Sequence, residues 1–124
     1  MKKSVQVVLL NKNGEVLAVS RKNDHNDFGI IGGKVDNGET IEEAAIRETK
    51  EETGLNIYNL KLIFAMFKNG YMGYTYLCDY SGNIYTNEPH IVKWTSFETV
   101  INGSFGKWNI LVAESWQNMG IKII

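Results

Sequence analysis

Residues 33–55, GKVDNGETIEEAAIRETKEETGL, decide the fold because they contain one helix with clear ends. Thr40, followed three residues later by Glu43, is typical of a capping box at the start of a helix. Gly54, which follows Thr53, is typical of the left-handed residue that ends one. The sequence therefore predicts a helix from Thr40 to about Thr53.

The predicted helix carries acidic residues on the side that should face the core. At about 100° per residue, the apolar residues within about 60° of Ile41 define that side, and they are Ala44, Ala45 and Leu55. Three carboxylates fall within about 80° of Ile41 on the same side, and they are Glu48, Glu51 and Glu52. The side facing away holds Glu42, Lys50 and Thr53.

Carboxylates at this spacing repel one another, and burial of even one unpaired carboxylate costs several kcal/mol. A divalent cation among the oxygens would remove this conflict. Because oxygen ligands favour hard ions, we expect Mg²⁺ or Mn²⁺. The alternative is a solvated acidic face balanced by Lys50 and Arg47. Arg47 is spaced to bond Glu43 or Glu51, either within the site or as an ordinary surface ion pair.

The composition is that of a globular protein and argues against several protein classes. With 124 residues, we expect a single domain over residues 1–124. One cysteine and two histidines argue against a disulfide framework and against cysteine-rich or multi-histidine zinc sites. Because 13 Lys and Arg balance 14 Asp and Glu, no nucleic-acid polymer is expected as a partner. The apolar run at residues 4–10 is too short for a membrane span or a signal peptide, which favours a cytoplasmic protein.

The remaining elements predict an α/β fold. Residues 5–10 and 15–20 flank a tight turn and predict an N-terminal hairpin, and residues 57–67 and 71–80 predict a second one. Residues 28–35 and 91–95 are further strand candidates, and residues 107–117 predict a second helix. Strands before, between and after the helices indicate a mixed sheet with helices packed on it.

The spacing of the charged residues resembles the Nudix box, G-x5-E-x7-R-E-U-x-E-E-x-G-U, where U is a bulky aliphatic residue. Here the fixed positions are occupied by Gly33, Glu39, Arg47, Glu48, Glu51, Glu52, Gly54 and Leu55. Thr49 departs from the pattern at the first aliphatic position, where the helix places it away from the metal, and Ile31 stands where many relatives have proline. The chain therefore resembles the Nudix hydrolases, and within them the MutT-like members.

The resemblance implies the Nudix fold, a mixed β-sheet with hairpins sandwiched between α-helices. It also implies hydrolysis of a nucleoside diphosphate linked to another moiety, with Mg²⁺ or Mn²⁺ required. Family roles make Glu48, Glu51 and Glu52 metal ligands, aided by the Gly32 carbonyl. Arg47 would orient a glutamate, and Glu39 would support the geometry of the loop and helix. Two carboxylates remain candidates for the general base, namely Glu48 and Glu88.

The substrate side is less specific. Lys34, Arg21 and Lys22 are candidates to meet phosphates, or ordinary surface charges. Tyr71 and Tyr74 of the second hairpin are candidates to contact a ring, although most aromatic residues in such a hairpin pack in the core. Asn109 resembles the position of a base-reading asparagine, or is a polar residue at a helix start. Trp94 and Trp116 are expected to pack.

The expected partner is a small nucleotide, and several activities remain open. The first is hydrolysis of a (d)NTP to the monophosphate and pyrophosphate. The second is hydrolysis of ADP-ribose, a dinucleoside polyphosphate or another nucleotide conjugate. A non-catalytic nucleotide sensor and an RNA 5′-end hydrolase are further alternatives. Homodimers are common in the family, so a homodimer is also possible.

Overall fold

The computed structural model describes residues 2–104, 106, 109–111 and 114. The elements in this part of the chain are β1 (Lys2–Val8), β2 (Val16–Ser20), β3 (Phe28–Lys34), α1 (Ile41–Thr53), β4 (Asn56–Lys68), β5 (Tyr71–Ser81), β6 (Val92–Thr95) and α2 (Phe97–Ile101). Residues 106, 109–111 and 114 are also helical, in agreement with the predicted second helix. The other residues of that predicted helix, including Trp116, lie outside the described residues.

The strands form one mixed sheet, as predicted. Their order is β4-β5-β1-β3-β2-β6, with β1 parallel to β5 and the other neighbours antiparallel. The face packed against α1 buries a cluster that includes Val7, Leu17, Ile31, Ala45 and Tyr76. The opposite face buries a second cluster that includes Val8, Ala18, Ile30, Phe97 and Val100, so that α2 covers it. Two buried faces explain why β2, with the sequence VLAVS, is almost continuously apolar and buried along its whole length.

The predicted N-terminal hairpin is wrong beyond its turn. Leu17 N–H donates to Leu9 O at 3.1 Å, and Leu10 and Val16 form an isolated bridge. Beyond that point β3 lies between β1 and β2 and pairs with both of them. The turn depends on adjacent residues and could be predicted from them. The insertion of β3 depends on pairing between residues that are far apart in the sequence, so no local pattern predicts it.

The second hairpin is confirmed. Asn69 and Gly70 connect β4 and β5 with φ angles of 53° and 81°. Left-handed residues at both central positions match the twist of the flanking strands, which is why Asn-Gly is favoured there. This hairpin fixes which face of β5 each tyrosine occupies.

The short helix α2 completes the architecture of the described residues. The short helix α2 was missed, because five residues are too few for a helical period to stand out. No helix in the described part of the chain is both long enough and apolar enough to cross a membrane.

Candidate active site

The face of α1 that is buried in the structure is not quite the face that was predicted to be buried. Ala44, Ala45, Thr49 and Thr53 are all fully buried. Thr53 was predicted to face away, and that prediction is wrong. Thr49 and Thr53 donate their hydroxyls to Ala45 O and Thr49 O at 2.8 and 2.7 Å, so no polar group is left unpaired by their burial.

This difference separates the three acidic residues. Glu48 and Glu52 stay beside the core, whereas the side chain of Glu51 is 49% exposed, against 16% for Glu48. The prediction that Glu51 shares the core-facing stripe is therefore wrong. Glu51 lies at the solvent edge of the site, where it accepts a long hydrogen bond of 3.4 Å from Arg47.

The two buried carboxylates lie against the backbone of β3. Glu52 Oε1 accepts a hydrogen bond from Gly32 N–H at 3.0 Å. A Cβ added at Gly33 would lie only 2.3–2.6 Å from the carboxylate atoms of Glu48. Glycine at position 33 is thus required by the close approach of a charged group, not by a turn.

Burial changes the proton affinity of both carboxylates. It raises the pKa of Glu52 to about 8 from an ordinary value of 4.5, and the nearby charges of Glu48 and Glu88 act in the same direction. Burial also raises the pKa of Glu48, although Arg47 opposes the shift. Each carboxylate is therefore stabilised by neutralisation, which either a proton or a cation provides.

Arg47 joins the loop before α1 to the acidic residues on it. Its guanidinium donates two bonds to the Glu39 carboxylate, at 2.7 and 3.0 Å, and one to Glu48 at 2.8 Å. It also donates to Lys34 O at 3.0 Å. The bond from Arg47 holds the pKa of Glu39 below its usual range. Glu43, an alternative partner in the sequence prediction, instead completes the capping box with Thr40.

Glu88 lies near these carboxylates on the connection between β5 and β6. Its carboxylate forms an ion pair with Lys22 at 2.7 Å. Lys22, predicted to meet phosphate, thus has a carboxylate partner, which raises its pKa. Arg21 points elsewhere, with contacts to Asp27 at 3.9 Å and Ser104 at 3.3 Å.

The donor set at this site fits a hard divalent cation, although it does not enclose one. The donors are carboxylate oxygens of Glu48 and Glu52, with Glu51 at the edge, and desolvation makes neutralisation favourable. Among the described residues, no three acidic, histidine or cysteine side chains already stand close enough together to hold an ion. The residues therefore form an open set of oxygen ligands beside a glycine backbone, rather than a closed cage.

The substrate candidates fall in different places. Lys34 and Lys2 lie 5.9 and 5.6 Å from the ring centre of Tyr71, in a cleft of about 350 Å³ beside the loop that precedes α1. Tyr74 packs against the core cluster under α1, which explains its partial burial. The structure does not bring it together with Tyr71, because successive residues of a strand face opposite sides and these two tyrosines are three positions apart.

Asn109 is fully buried, and only half of its amide is satisfied. Its Nδ2 donates to Val100 O at 2.9 Å, whereas its Oδ1 has no hydrogen-bond partner among the residues that the structure describes. An unpaired buried acceptor costs about 1–3 kcal/mol. Trp94 packs as predicted, with its ring centre 5.5 Å from that of Tyr80.

Sequence reasoning missed Lys2, Asp36, Thr86 and His90. Asp36 lies 3.5 Å from Arg47, and His90 contacts the backbone of Glu52. Asp36 occupies a variable position of the motif. Its negative charge, three residues before Glu39, was the signal that could have identified it as a second partner of Arg47. His90 lies 38 residues from its partner, and no local pattern points to it.

The family model described as NUDIX domain matches residues 1–112. The chain belongs to the Nudix family. The matched segment contains every element described above except the end of the C-terminal helical region.

Individual relatives match over shorter segments. A candidate 8-oxo-dGTP diphosphatase of Bacillus subtilis is 50% identical over 50 residues, which are 40% of this chain and 33% of that protein. An ADP-ribose pyrophosphatase of Methanocaldococcus jannaschii is 47% identical over 49 residues, covering 38% and 29% of the two chains. The matches thus span about a third of the length of these curated Nudix relatives.

Solved structures agree on the fold over a longer range. A MutT structure, from work on Aliivibrio salmonicida and Vibrio cholerae, has a TM-score of 0.77 at 20% identity. The likeness covers 94% of this chain and 98% of that one. The Nudix fold predicted from the motif is thereby confirmed.

Proposed function

We propose that this Nudix chain hydrolyses the pyrophosphate linkage of a nucleotide, with a (d)NTP as substrate and the monophosphate and pyrophosphate as products. One observation carries the proposal: Glu48 and Glu52 are desolvated against Gly32 and Gly33. Buried acidic groups that favour neutralisation are costly for the fold, and they are useful where a cation and a polyphosphate must be bound together. The same acidic residues occupy the fixed positions of the family motif.

Nudix hydrolases generally use divalent metals, and we propose Mg²⁺ or Mn²⁺ here. Glu48, Glu51 and Glu52 would hold it, with the Gly32 carbonyl. The bound ion would neutralise the pyrophosphate and lower the pKa of a water molecule. Arg47, fixed by Glu39, orients Glu48 through its bond of 2.8 Å.

Two carboxylates are candidates to accept the proton of the attacking water, Glu48 and Glu88. Glu48 is already bonded to Arg47, which leaves it less free to accept a proton. Glu88 is paired with an exposed ammonium, that of Lys22, which a phosphate can compete for. We therefore propose Glu88 as the base and Glu48 as a metal ligand.

Recognition of a base is supported by Asn109, whose buried Oδ1 has no hydrogen-bond partner within the described part of the chain. Its amide could pair with the edge of a purine. A nucleotide conjugate is the second candidate, because Lys2 and Lys34 have no ion-pair partner among the described residues and both approach Tyr71. Two unpaired ammonium groups beside an aromatic ring suit the second half of a conjugate that carries phosphate and a ring.

We also propose that residues 1–124 form one domain acting on free nucleotides in the cytoplasm. The family model supports this by covering residues 1–112. The balance of 13 basic and 14 acidic residues gives no support to a long nucleic-acid path.

A substrate panel with and without Mg²⁺ tests the proposal. The panel contains normal and oxidised dNTPs, ADP-ribose, NADH, diadenosine polyphosphates and nucleotide sugars, and chromatography identifies every product. Metal-dependent release of pyrophosphate from a dNTP is the expected result. Cleavage of a conjugate alone would keep the chemistry and replace the substrate class, and no cleavage anywhere would favour a nucleotide sensor.

Glu98→Gln provides a matched control for acidic variants of the site, because Glu98 is exposed and has no side-chain bond in the described part of the chain. It should hydrolyse the substrate at the wild-type rate. Glu48→Gln should lose at least about a hundredfold in kcat/KM. Equal rates for the two variants would contradict the proposed site.

A further inference from the structure

The last turn of α1 is closed by residues far away in the sequence. A helix ends in four carbonyls without partners inside the helix, and here all four are bonded. Gly54 N–H donates to Lys50 O at 2.9 Å, Thr86 Oγ1 to Glu51 O at 3.1 Å, His90 Nε2 to Glu52 O at 2.7 Å, and Tyr85 N–H to Thr53 O at 2.7 Å. Three of these donors come from residues 85–90, which we name the cap segment.

The cap segment contains Glu88, and Thr86 connects its backbone to the helix. Glu88 N–H donates to Thr86 Oγ1 at 3.1 Å, and the same hydroxyl donates to Glu51 O at 3.1 Å. A single hydroxyl group thus links the amide of Glu88 to a carbonyl in the turn that carries the acidic ligands. Removing this hydroxyl breaks both bonds at once.

His90 anchors the other side of Glu88. A carbonyl only accepts, so the bond to Glu52 O requires the proton to be on Nε2. The ring is almost completely buried, with 2% of the side chain exposed. Its Nδ1 lies 3.8 Å from Glu88 Oε2, too far for a direct hydrogen bond, so His90 acts on Glu88 through the backbone.

The backbone between His90 and Glu88 is stiff. The residue that joins them is Pro89, the only proline of the chain. Its ring fixes φ at about −65° and also restricts the residue before it to extended conformations. A fixed position of His90 therefore limits where Glu88 can lie.

We propose that Thr86 and His90 are positioning residues that fix Glu88 relative to Glu52. They hold the backbone of Glu88 from both sides against the last turn of α1, and the ammonium of Lys22 holds its carboxylate at 2.7 Å. The inference rests on the proposed function, because it assigns Glu88 to the reacting water. Neither positioning residue belongs to the family motif, and neither has to contact the substrate.

Thr86 offers the sharper test, because its side chain is only partly buried and its replacement spares the core. Thr86→Val keeps the shape and removes the hydroxyl, whereas Thr86→Ser keeps the hydroxyl. We expect Thr86→Val to lower kcat about tenfold to a hundredfold with little change in KM, since a misplacement near 1 Å can cost about a hundredfold. Thr86→Ser should stay within about threefold of wild type in the same assay. Equal rates for the two variants would overturn the role of the hydroxyl.

His90 also offers a matched pair of variants, His90→Gln and His90→Asn. Gln places an amide nitrogen the same number of bonds from Cα as His Nε2, whereas Asn places it as near as Nδ1. His90→Gln should therefore keep the bond to Glu52 O and most of kcat, and His90→Asn should lose it. Loss of the same size in both variants would contradict the positioning role and indicate a packing role.

A double-mutant cycle separates positioning from general damage. If the two residues act through Glu88, their effects disappear once Glu88 is replaced. In a Glu88→Gln background, Thr86→Val and His90→Asn should change kcat by less than about twofold. Persistence of the tenfold loss in that background would overturn the inference.

A measurement that does not depend on turnover distinguishes a failure of the positioning role from a failure of the proposed function. In metal-free protein, Thr86→Val should speed hydrogen exchange of the Glu88 amide, because that amide donates to the deleted hydroxyl. Unchanged exchange would overturn the inference even if the enzyme is active. A wild-type rate for Glu88→Gln would also overturn it, while Glu48→Gln would still test the proposed function independently.

Discussion

The two ends of α1 are closed in different ways. At the N-terminal end, Thr40 and Glu43 bond each other's backbone amides at 3.1 and 2.8 Å, within a single turn. At the C-terminal end, Thr86 and His90 bond carbonyls that are 35 and 38 residues away. A local cap contributes stability to its own helix, whereas a distant cap also fixes the relative position of two segments. The acidic residues of the candidate site lie at the end that is closed from a distance.

The largest expected effect on activity is that of Glu52→Gln, at the C-terminal end of α1, which the cap segment closes. Gln keeps an oxygen to accept from Gly32 N–H but lacks the charge that a cation needs. We expect kcat/KM to fall by about a thousandfold or more, measured under saturating Mg²⁺. A loss below tenfold would show that the burial of this carboxylate serves the fold and not the reaction.

Gly54→Ala should damage both stability and turnover. Gly54 has φ +80, and a Cβ there would lie 2.2 Å from Tyr85 O, so the cap segment would have to move. Gly70→Ala is the matched control, because Gly70 has φ +81 and open space around its Cβ position. Both variants should lose about 1–3 kcal/mol of unfolding free energy from backbone strain.

Only Gly54→Ala should also lower kcat, by about tenfold or more. Urea unfolding and steady-state kinetics on the two glycine variants measure the two effects separately. If Gly70→Ala lowered kcat equally, displacement of the cap segment would not be the cause.

A smaller effect at the C-terminal end of α1 is expected in the stability of the metal-free protein, which should depend on pH through Glu52. Because burial raises the pKa of Glu52 to about 8, against 4.5 for the ordinary group, the folded state keeps a proton that the unfolded chain releases. This contribution is fully present below about pH 4.5 and is lost as the pH rises through about 8. In EDTA, the melting temperature of Glu52→Gln minus that of wild type should therefore be near zero at about pH 4 and positive at about pH 9. A difference for Glu52→Gln that stays flat from about pH 4 to about pH 9 would contradict the raised pKa of Glu52.

The smallest expected effect is at the local cap. Thr40→Ala removes the acceptor for Glu43 N–H and should lower the unfolding free energy by about 1 kcal/mol. The rate per folded molecule should remain at the wild-type value, since the other end of α1 is unaffected. A fall in kcat larger than that of Thr86→Val would remove the distinction between the two ends.

The same distinction explains what the sequence could predict. The capping box and the Gly54 end are local, and each was predicted in its correct place. The exposure of Glu51 was missed because periodicity treats Thr49 and Thr53 as polar, whereas their hydroxyls bond the helix backbone and allow burial. The insertion of β3 between β1 and β2 and the cap segment on α1 depend on contacts between distant residues. No spacing within a window of the chain encodes such contacts.

Among the described residues β4 lies at one edge of the sheet, and this position affects how copies of the molecule can meet. It is 13 residues long and exposes Tyr58, Leu62 and Phe67, a combination that invites pairing with a neighbouring molecule. Its pairing with β5 shifts register twice, between Tyr58 and Lys61 and between Leu62 and Phe64, and Asn59 adopts φ 51. These irregularities interrupt the regular backbone of β4, and natural sheets use such interruptions to hinder pairing of an edge strand with another molecule. The chain thereby carries protection against aggregation within the same strand that creates the hazard.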